Sequence, residues 1–298
     1  MRGESLEMYS LCLLPMLFVF VFTYLPMGGL VIAFKRYQYN LGIFGSPWVG
    51  FKNFEAFITS NDFIKVTSNT LYLNALFIIF GTLSAVFLGI LLFKLTSRKW
   101  TKVFQTILIT PHFLSWVVVG SFVFALLSSE NGVINNIIAV FGMEKVDWYS
   151  RPGAWPEILT MTSIWKSVGI DAVVYYAALM GIDSTLYEAA SIDGASNRQQ
   201  TRYITIPCIT SLIVILTILK IGNIFRADFG LFYQVTRDSG RLYSRTDVID
   251  TYIFRTMRVS GNMGMSSAAG LMQSVVGFVL VNLVDAISKK IDSDYGLF

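Results

Sequence analysis

Three polar side chains interrupt an apolar run at residues 158–181: Ser167, Asp171 and Tyr175. At 100° per residue they fall on one face of a helix. A charge inside a membrane-spanning helix is costly and indicates function by default. If this face borders a hydrated cavity, its carboxylate, hydroxyl and ring face bind a polar solute. If it contacts another helix, the same groups hold the bundle together by hydrogen bonds.

A second apolar run carries Lys220 and Asn223 and ends near Arg226, at steps of three residues. Steps of three drift by about 60° each, so these side chains follow a curved face of the helix. Lys220 and Arg226 bind the carboxylate of an acidic solute, or they pair with Asp171 and Asp228 as structural salt bridges. The sequence alone leaves both interpretations open.

The apolar runs that position these residues set the fold class. The 298 residues are 54% hydrophobic and 14% charged, whereas a soluble domain has about 25% charged residues. A helix needs about 20 apolar residues to cross the hydrocarbon core of a bilayer. We therefore predict an all-α integral membrane protein, with one transmembrane domain over residues 1–298 and six spanning helices. The predicted spans are residues 9–34, 70–93, 107–127, 158–181, 204–225 and 267–287.

Six spans place both termini on one side of the membrane. Lys and Arg are in total more numerous in the predicted outer loops. However, the densest cluster beside a span end is Lys94, Arg98, Lys99 and Lys102. Such clusters favour the cytoplasmic side, so we predict that both termini are cytoplasmic.

The loop after the first predicted span contains aromatic residues at helical spacing. Phe51, Phe54, Phe57 and Ile58 recur every three or four positions. This periodicity predicts a short helix that lies in the membrane interface or packs on the bundle. The alternative is a loop that collapses on its own aromatic side chains.

A short polar segment, residues 183–203, separates the fourth and fifth predicted spans. Thr185 and Glu188 have the spacing of a capping box, which predicts that a helix begins there. Gly194 is placed to end this helix in a left-handed conformation. About two turns are too few to cross a membrane and are stable only when docked. Judged on capping alone, this is an ordinary turn between spans.

The same segment resembles the EAA signature of the membrane subunits of bacterial ATP-binding-cassette importers. The matching residues are Glu188, Ala189, Ala190 and Gly194, followed by an apolar residue and a proline at Ile206-Pro207. The family usually has Leu where Ile206 stands, and both side chains are apolar.

Other segments narrow the resemblance to one branch of that family. Residues 186–195 are similar to the carbohydrate branch, the maltose-type permeases. Within this branch, residues 49–54 and 164–169 resemble polysaccharide or complex-oligosaccharide permeases. The resemblance covers nearly the whole chain.

The resemblance implies a type I ABC importer permease fold in the bacterial cytoplasmic membrane. In that family the EAA segment couples the permease to a separate ATPase, which assigns this role to Glu188, Ala189, Ala190, Asp193 and Gly194. The implied partners are a second homologous permease chain, two ATPase subunits that hold ATP and Mg²⁺, and an external solute-binding protein. The implied function is the import of carbohydrates, in particular oligosaccharides, by alternating access. The Arg-rich outer loops favour acidic uronic oligosaccharides as substrates, or these arginines face an acidic binding protein.

The residue inventory disfavours enzyme activity in this chain. It has no G-x-x-x-x-G-K-[ST] phosphate-binding loop, and His112 is its only histidine. Cys12 and Cys208 predict neither a disulfide framework nor a metal site. The net charge of +4 is spread along the chain without a basic block, so nucleic acid is an improbable partner. The alternative function is a secondary transporter or channel that is not coupled to ATP.

Overall fold

The computed structural model describes the backbone of residues 2–291 and the side chains of residues 11–290. Residue 1 and residues 292–298 of the predicted domain lie outside the described residues. The described chain is helical: it contains an isolated antiparallel bridge between Lys35 and Trp48 but no strand. The all-α prediction is therefore confirmed.

The α-helices are α1 (Arg2–Val19), α2 (Leu25–Met27), α3 (Gly42–Gly45), α4 (Lys52–Ile58), α5 (Phe63–Phe93), α6 (Arg98–Ile109), α7 (Trp116–Leu127), α8 (Val133–Val140), α9 (Trp155–Leu179), α10 (Ser184–Ile192), α11 (Asn197–Gln200), α12 (Ile206–Gly222), α13 (Tyr243–Thr246), α14 (Ile249–Arg258) and α15 (Met263–Ile291). Turns of π-helix lie at Phe20–Tyr24, Thr201–Thr205 and Leu231–Val235. Turns of 3₁₀-helix lie at Gly28–Phe34, Thr110–Phe113, Trp148–Ser150, Pro152–Ala154 and Gly240–Leu242.

The described chain packs as two compact units, and the first combines residues 2–63 with residues 252–273. In this unit α4 forms as the aromatic spacing predicted. Phe57 is fully buried, and its ring lies 5.2 Å from Phe63 and 5.3 Å from Tyr252. Asn53 joins α4 to the preceding segment, because its amide donates to the carbonyls of Ala33 and Lys35.

The second unit combines residues 64–251 with residues 274–291. It has two apolar cores. One core surrounds Trp155 and includes side chains from α5, α7 and the Leu231–Val235 turn. The other joins α5, α9 and α12 around the fully buried Tyr175. In this second core Gly89 of α5 allows close packing, since a Cβ there would lie 3.0 Å from the carbonyl oxygen of Ala172.

Four helical stretches are long and apolar enough to cross a membrane: Leu11–Phe34, Phe63–Phe93, Asn197–Gly222 and Met263–Lys290. A bent pair, α6 with α7, brings the number to five. The prediction of six spans is therefore not fully met by length and composition. The stretch that falls short is α9, which carries Glu157, Lys166 and Asp171. Its 25 residues still measure about 37 Å, which is enough to cross a hydrocarbon core of about 30 Å.

The run predicted as one span at residues 107–127 is broken in the structure. Its two halves, α6 and α7, are bent by 98°. Pro111 lies in the 3₁₀ turn between them, where its missing N–H and its ring interrupt an α-helix. At the same break, the ammonium group of Lys166 donates to the carbonyl of His112 at 2.7 Å. The bend therefore replaces the straight span that hydropathy predicted.

Candidate functional site

A cavity of about 490 Å³ lies between α5, α9 and α12. Its apolar wall includes Phe77, Ile78, Leu216 and Leu219, and Gly81 opens the wall on the α5 side. Its polar lining contains most of the residues that the sequence singled out. These residues are Ser167, Asp171, Lys220, Asn223 and Arg226, joined by Asn74 and Ser163.

An ion pair crosses this cavity from α9 to α12. The ammonium group of Lys220 lies 2.6 Å from a carboxylate oxygen of Asp171, and each side chain is about one third exposed (31% and 32%). A charge in an apolar helix needs a partner or water, and here each supplies the other. Of the two interpretations from sequence, the structure shows the Asp171–Lys220 pair.

The charged residues that line the cavity sum to a net positive charge. They are Asp171, Lys220 and Arg226, which give one negative and two positive charges. Arg226 is exposed, and within the described part of the chain its side chain makes no ion pair. Asp228, its predicted partner, instead accepts a hydrogen bond from the indole N–H of Trp116 at 2.8 Å. The Arg226–Asp228 pair, one of the two interpretations that the sequence left open, is therefore not formed in this structure.

Polar groups elsewhere in the lining are mostly satisfied by nearby backbone. The Ser167 hydroxyl donates to the carbonyl of Ser163, and the Asn223 amide donates to the carbonyl of Leu219. Asn74 from α5 donates to the carbonyls of Ile224 and Arg226, where α12 has ended. The sequence analysis did not predict Asn74 as a cavity residue, although a polar amide inside the apolar run at 70–93 could have indicated it.

Tyr175 does not line the cavity. Its side chain is fully buried in the apolar core of α5, α9 and α12. Its hydroxyl has no hydrogen-bond partner among the described residues. The prediction that Tyr175 contributes to the path is therefore wrong in this structure: Tyr175 lies about 40° further around α9 than Asp171, and its side chain packs beside Gly89 of α5 in the apolar core. Lys166 of α9 points away from the polar stripe and toward the α6–α7 bend.

The segment at residues 183–203 contains a helix of nine residues, α10. Its N-cap is Asp183 and not Thr185: the Asp183 carboxylate accepts the Thr185 amide at 2.9 Å. An Asp carboxylate can accept the amide two residues later in the chain, just as a Thr hydroxyl can accept the amide three residues later. The reciprocal capping box occurs one element later, at Ser196 and Gln199. The capping-box prediction for Thr185 and Glu188 was therefore wrong, although a helix does begin there.

The carboxyl end of α10 follows the prediction. Gly194 has φ +76°, and the Ala195 amide donates to the carbonyl of Ala190 at 2.9 Å. This is the bonding pattern of a Schellman motif. The chain therefore reverses at Gly194.

Tyr187 attaches α10 to the helical bundle. Its ring lies 5.9 Å from the ring of Phe93, and its hydroxyl lies 3.1 Å from that of Thr205. The opposite side of α10 is open, since Ile192 is 87% and Leu186 46% exposed. The helix thus exposes apolar side chains on one side, while Tyr187 fixes its other side to the bundle.

The five predicted coupling residues are gathered on this open segment. Glu188, Ala189, Asp193 and Gly194 are exposed, and Ala190 is half-buried. The two alanines add little side chain to the helix surface, so another protein can approach its backbone.

A family model described as "Binding-protein-dependent transport system inner membrane component" matches residues 78–293. This chain belongs to that family. The matched residues include α10 and all of the cavity lining except Asn74 and Phe77. The inner membrane component is a multi-pass membrane protein.

Two proteins of Bacillus subtilis (strain 168) are each 36% identical to this inner membrane component. Protein LplB aligns over 291 residues, which are 98% of this chain and 91% of that protein. The polygalacturonan/rhamnogalacturonan transport system permease protein YteP aligns over 283 residues, which are 95% and 88%.

A solved structure of similar fold is a bacterial ABC transporter involved in the import of the acidic polysaccharide alginate. One of its chains is 33% identical and superposes with a TM-score of 0.88, covering 97% of both chains. A second structure, of that kind of transporter with an alginate pentasaccharide-bound periplasmic protein, gives 32% identity and a TM-score of 0.87 over 97% of this chain and 96% of that one. The inner membrane component therefore has the type I ABC importer permease fold.

A second polar cavity, also about 490 Å³, lies between α7 and the π-turn at Leu231–Val235. Arg237 lines it and lies 4.1 Å from the ring centroid of Phe124. Arg237 and Asp238 both have positive φ, 56° and 46°, an uncommon conformation for residues other than glycine. Nothing in the sequence pattern distinguished this site.

Two groups outside the spanning helices have displaced pKa values. The hydrogen bond from the Thr185 amide lowers the pKa of Asp183, so the N-cap of α10 stays ionised. Burial raises the pKa of Tyr149 to about 12 against the opposing effect of Arg237, and its hydroxyl donates to the carbonyl of Val235. Among the described residues no cluster of three or more His, Cys, Asp or Glu side chains has metal-binding geometry.

Proposed function

We propose that this inner membrane component is the substrate-conducting permease of an ATP-driven importer for carbohydrates, and for acidic oligosaccharides in particular. The observation that carries the proposal is the net positive cavity between α5, α9 and α12. Its ion pair holds Lys220 oriented in a partly hydrated space, and Arg226 adds a cation without a counter-ion. A uronate residue would supply the missing negative charge.

The relatives support an acidic substrate. YteP is named for polygalacturonan and rhamnogalacturonan transport. The solved structure that superposes with a TM-score of 0.88 is from a transporter involved in the import of the acidic polysaccharide alginate. Hydroxyl and amide groups beside the cations, such as those of Ser167 and Asn223, are suited to sugar hydroxyls. Ion pairs between the cations of the cavity and a sugar carboxylate would be stronger than the hydrogen bonds between neutral groups in such a site.

We further propose that α10 transmits the motion of a separate ATPase. Closure of an ATPase dimer on ATP and Mg²⁺ would move Glu188, Ala189, Ala190, Asp193 and Gly194, and with them Tyr187. Because Tyr187 contacts Phe93 and Thr205, the displacement reaches the ends of α5 and α12, which wall the cavity. Nucleotide state then favours one arrangement of the bundle by its differential binding energy.

The proposed assembly contains this chain, a second homologous permease, two ATPase subunits and an external solute-binding protein. In this assembly both termini and α10 are cytoplasmic, and the cavity opens alternately to each side. ATP hydrolysis belongs to the ATPase subunits. The family description, which names a binding-protein-dependent system, supports the external partner, and the periplasmic protein in the second alginate structure supports it further.

The test is uptake by the whole complex in proteoliposomes. Labelled oligogalacturonides are presented with the solute-binding protein, and the control substrate is the fully methyl-esterified oligomer, which has nearly the same shape without the charge. We expect ATP-dependent uptake of the acid at about ten times the rate of the ester, and Lys220→Gln should remove most of that difference. Uptake without ATP that collapses with the proton gradient would instead identify a secondary transporter. ATP-driven uptake with no preference for the acid would refute the acidic-substrate part alone.

A further inference from the structure

Helix α6 (Arg98–Ile109) follows α5 and packs on α9 through one narrow face. Thr101 is buried, and Leu108 is half-buried. The carbonyl oxygen of Leu108 lies so close to α9 that a Cβ at Gly169 would be 1.9 Å from it. Only glycine allows this contact. The remaining two thirds of the α6 surface face away from the described chain.

One of the two exposed edges of α6 is apolar. Trp100, Phe104 and Ile107 follow at i, i+4 and i+7, and they are 55%, 43% and 59% exposed. The rings of Trp100 and Phe104 are 6.1 Å apart. Exposed apolar side chains in a continuous stripe indicate contact with lipid or with a partner.

The other exposed edge of α6 is cationic. Arg98, Lys99 and Lys102 lie within five consecutive positions, residues 98–102, that contain no acidic residue. All three side chains are exposed. Across the described residues, none of them forms an ion pair or a side-chain hydrogen bond. Three uncompensated cations in so short a stretch constitute an anion-binding surface.

A groove of about 400 Å³ begins at this cationic edge. It runs along α6 from Lys102 and Gln105 to Ile109 and Phe113, so its polarity falls along its length. The distance from residue 102 to residue 113 is about 16 Å at 1.5 Å per residue, which is close to half of a hydrocarbon core. The threonine hydroxyls in the groove, those of Thr106 and Thr110, are used by α6 backbone carbonyls. The far end of the groove is therefore effectively apolar.

The position of α6 places its cations at the end of the bundle that carries α10. The chain leaves α5 at Phe93, whose ring contacts Tyr187 of α10, and α6 begins five residues later. The groove is also separate from the substrate cavity. On α9, Gly169 is two residues from Ser167, which is about 200° around the helix, so α6 and the cavity occupy different sides of α9.

We propose that α6 binds an anionic phospholipid of the cytoplasmic leaflet. The lipid phosphate pairs with Lys99 and Lys102, an acyl chain follows the groove to Phe113, and Trp100 lies at the level of the glycerol. The cytoplasmic leaflet is rich in anionic lipid, which attracts basic residues beside a span. An ATPase surface would match the cations but not the apolar groove or the exposed apolar edge. This inference uses the cytoplasmic orientation of α10 proposed above and is independent of the transported substrate.

The test measures quenching of Trp100 fluorescence in the purified whole complex. The complex is placed in nanodiscs that contain either phosphatidylglycerol or phosphatidylcholine brominated on the acyl chains, and the signal of Trp100 is the difference between wild type and Trp100→Phe. We expect brominated phosphatidylglycerol to quench Trp100 at a several-fold lower mole fraction than brominated phosphatidylcholine. Lys99→Gln with Lys102→Gln should weaken that preference by about fivefold per lysine.

The matched control is Arg36→Gln with Arg151→Gln, which removes two other exposed cations and should leave the preference unchanged. Equal quenching by the two lipids would overturn the proposal, as would an unchanged preference in the Lys99 and Lys102 double variant. Loss of the ATPase during purification of that variant, with its lipid preference intact, would assign the cations to the ATPase and also overturn it. No substrate or ATP is needed, so failure of the transport proposal would be seen separately.

Discussion

The α10 segment and the cavity between α5, α9 and α12 both interrupt an apolar chain with polar residues, but they are specified over different distances. The shape of α10 depends on a cap and a glycine within twelve residues, from Asp183 to Gly194. The cavity depends on Asp171 and Lys220, which are 49 residues apart in sequence and 2.6 Å apart in space.

The two regions are therefore vulnerable to different substitutions. No residue of α10 is buried, so its surface can change with little effect on folding, while its backbone conformation cannot. The cavity walls are the reverse, since they are formed by helices whose close packing fixes the positions of the polar groups. Substitutions should therefore damage coupling at α10 and stability at the cavity walls.

The largest effect is expected from Gly194→Val. A β-branched residue at φ +76° is strained by about 1–2 kcal/mol, so the turn that ends α10 should change. We expect uptake in proteoliposomes to fall at least about tenfold, while delivery by the solute-binding protein stays intact. Gly142→Val is the matched control, because Gly142 has φ +75° and, like Gly194, has open space around its Cβ position. Normal uptake in Gly194→Val would count against the coupling role.

The sequence predicted α10 well because its information is local. Gly194 was assigned its left-handed conformation from position alone, and the structure agrees. At the amino end of α10 the predicted N-cap was Thr185, whereas the structure has Asp183. Both residue types cap helices. Neighbouring residues with equal capping ability are not distinguished by spacing.

The cavity was predicted only in part because its information is tertiary. Helical periodicity gathered Ser167 and Asp171 correctly, but it also included Tyr175, which packing turns into the apolar core. Asn74 was missed because its partners are the carbonyls of Ile224 and Arg226, 150 residues away. The break of the span at 107–127 was missed because hydropathy does not detect a bend, although Pro111 was a visible signal.

The next largest effect is expected where α6 packs on α9. Gly169→Ala places a Cβ 1.9 Å from the carbonyl oxygen of Leu108, and backbone must move to relieve it. Such overpacking costs about 1–3 kcal/mol, so the thermal unfolding midpoint of the complex should fall by several degrees. Gly81→Ala is the control in the cavity wall, since nothing lies within 4 Å of its Cβ position. Equal midpoints for the two variants would show that α6 packs less closely on α9 than the structure indicates.

A smaller effect is expected from a double-mutant cycle on the cavity ion pair. Asp171→Asn or Lys220→Gln alone leaves a charge without its partner, whereas both together remove the problem. Each side chain is about one third exposed (31% and 32%), so solvent screens the pair and the coupling energy should be about 0.5–1 kcal/mol. Thermal unfolding of the four proteins measures it. Additive effects of the two substitutions would mean that the pair contributes nothing to stability and leaves both groups available to substrate.

The smallest effect is a pH dependence confined to the start of α10. The hydrogen bond from the Thr185 amide lowers the pKa of Asp183. The cap is therefore fully formed above the ordinary Asp pKa of 3.8 and is lost as the pH falls through the lowered value. At neutral pH, Asp183→Ala should speed hydrogen exchange of the first α10 amides a few-fold relative to wild type, and this ratio should approach one in acid.

Ser196→Ala provides the comparison that decides whether titration is the cause. Ser196 caps the next helix through a hydroxyl that accepts the Gln199 amide, and a hydroxyl does not titrate in this range. Its removal should speed exchange at the start of α11 by a ratio that is the same at neutral and acidic pH. If the Asp183→Ala ratio were equally constant, the carboxylate would not be the group that holds the first turn of α10, and the local specification of that helix would rest on Gly194 and Tyr187 alone.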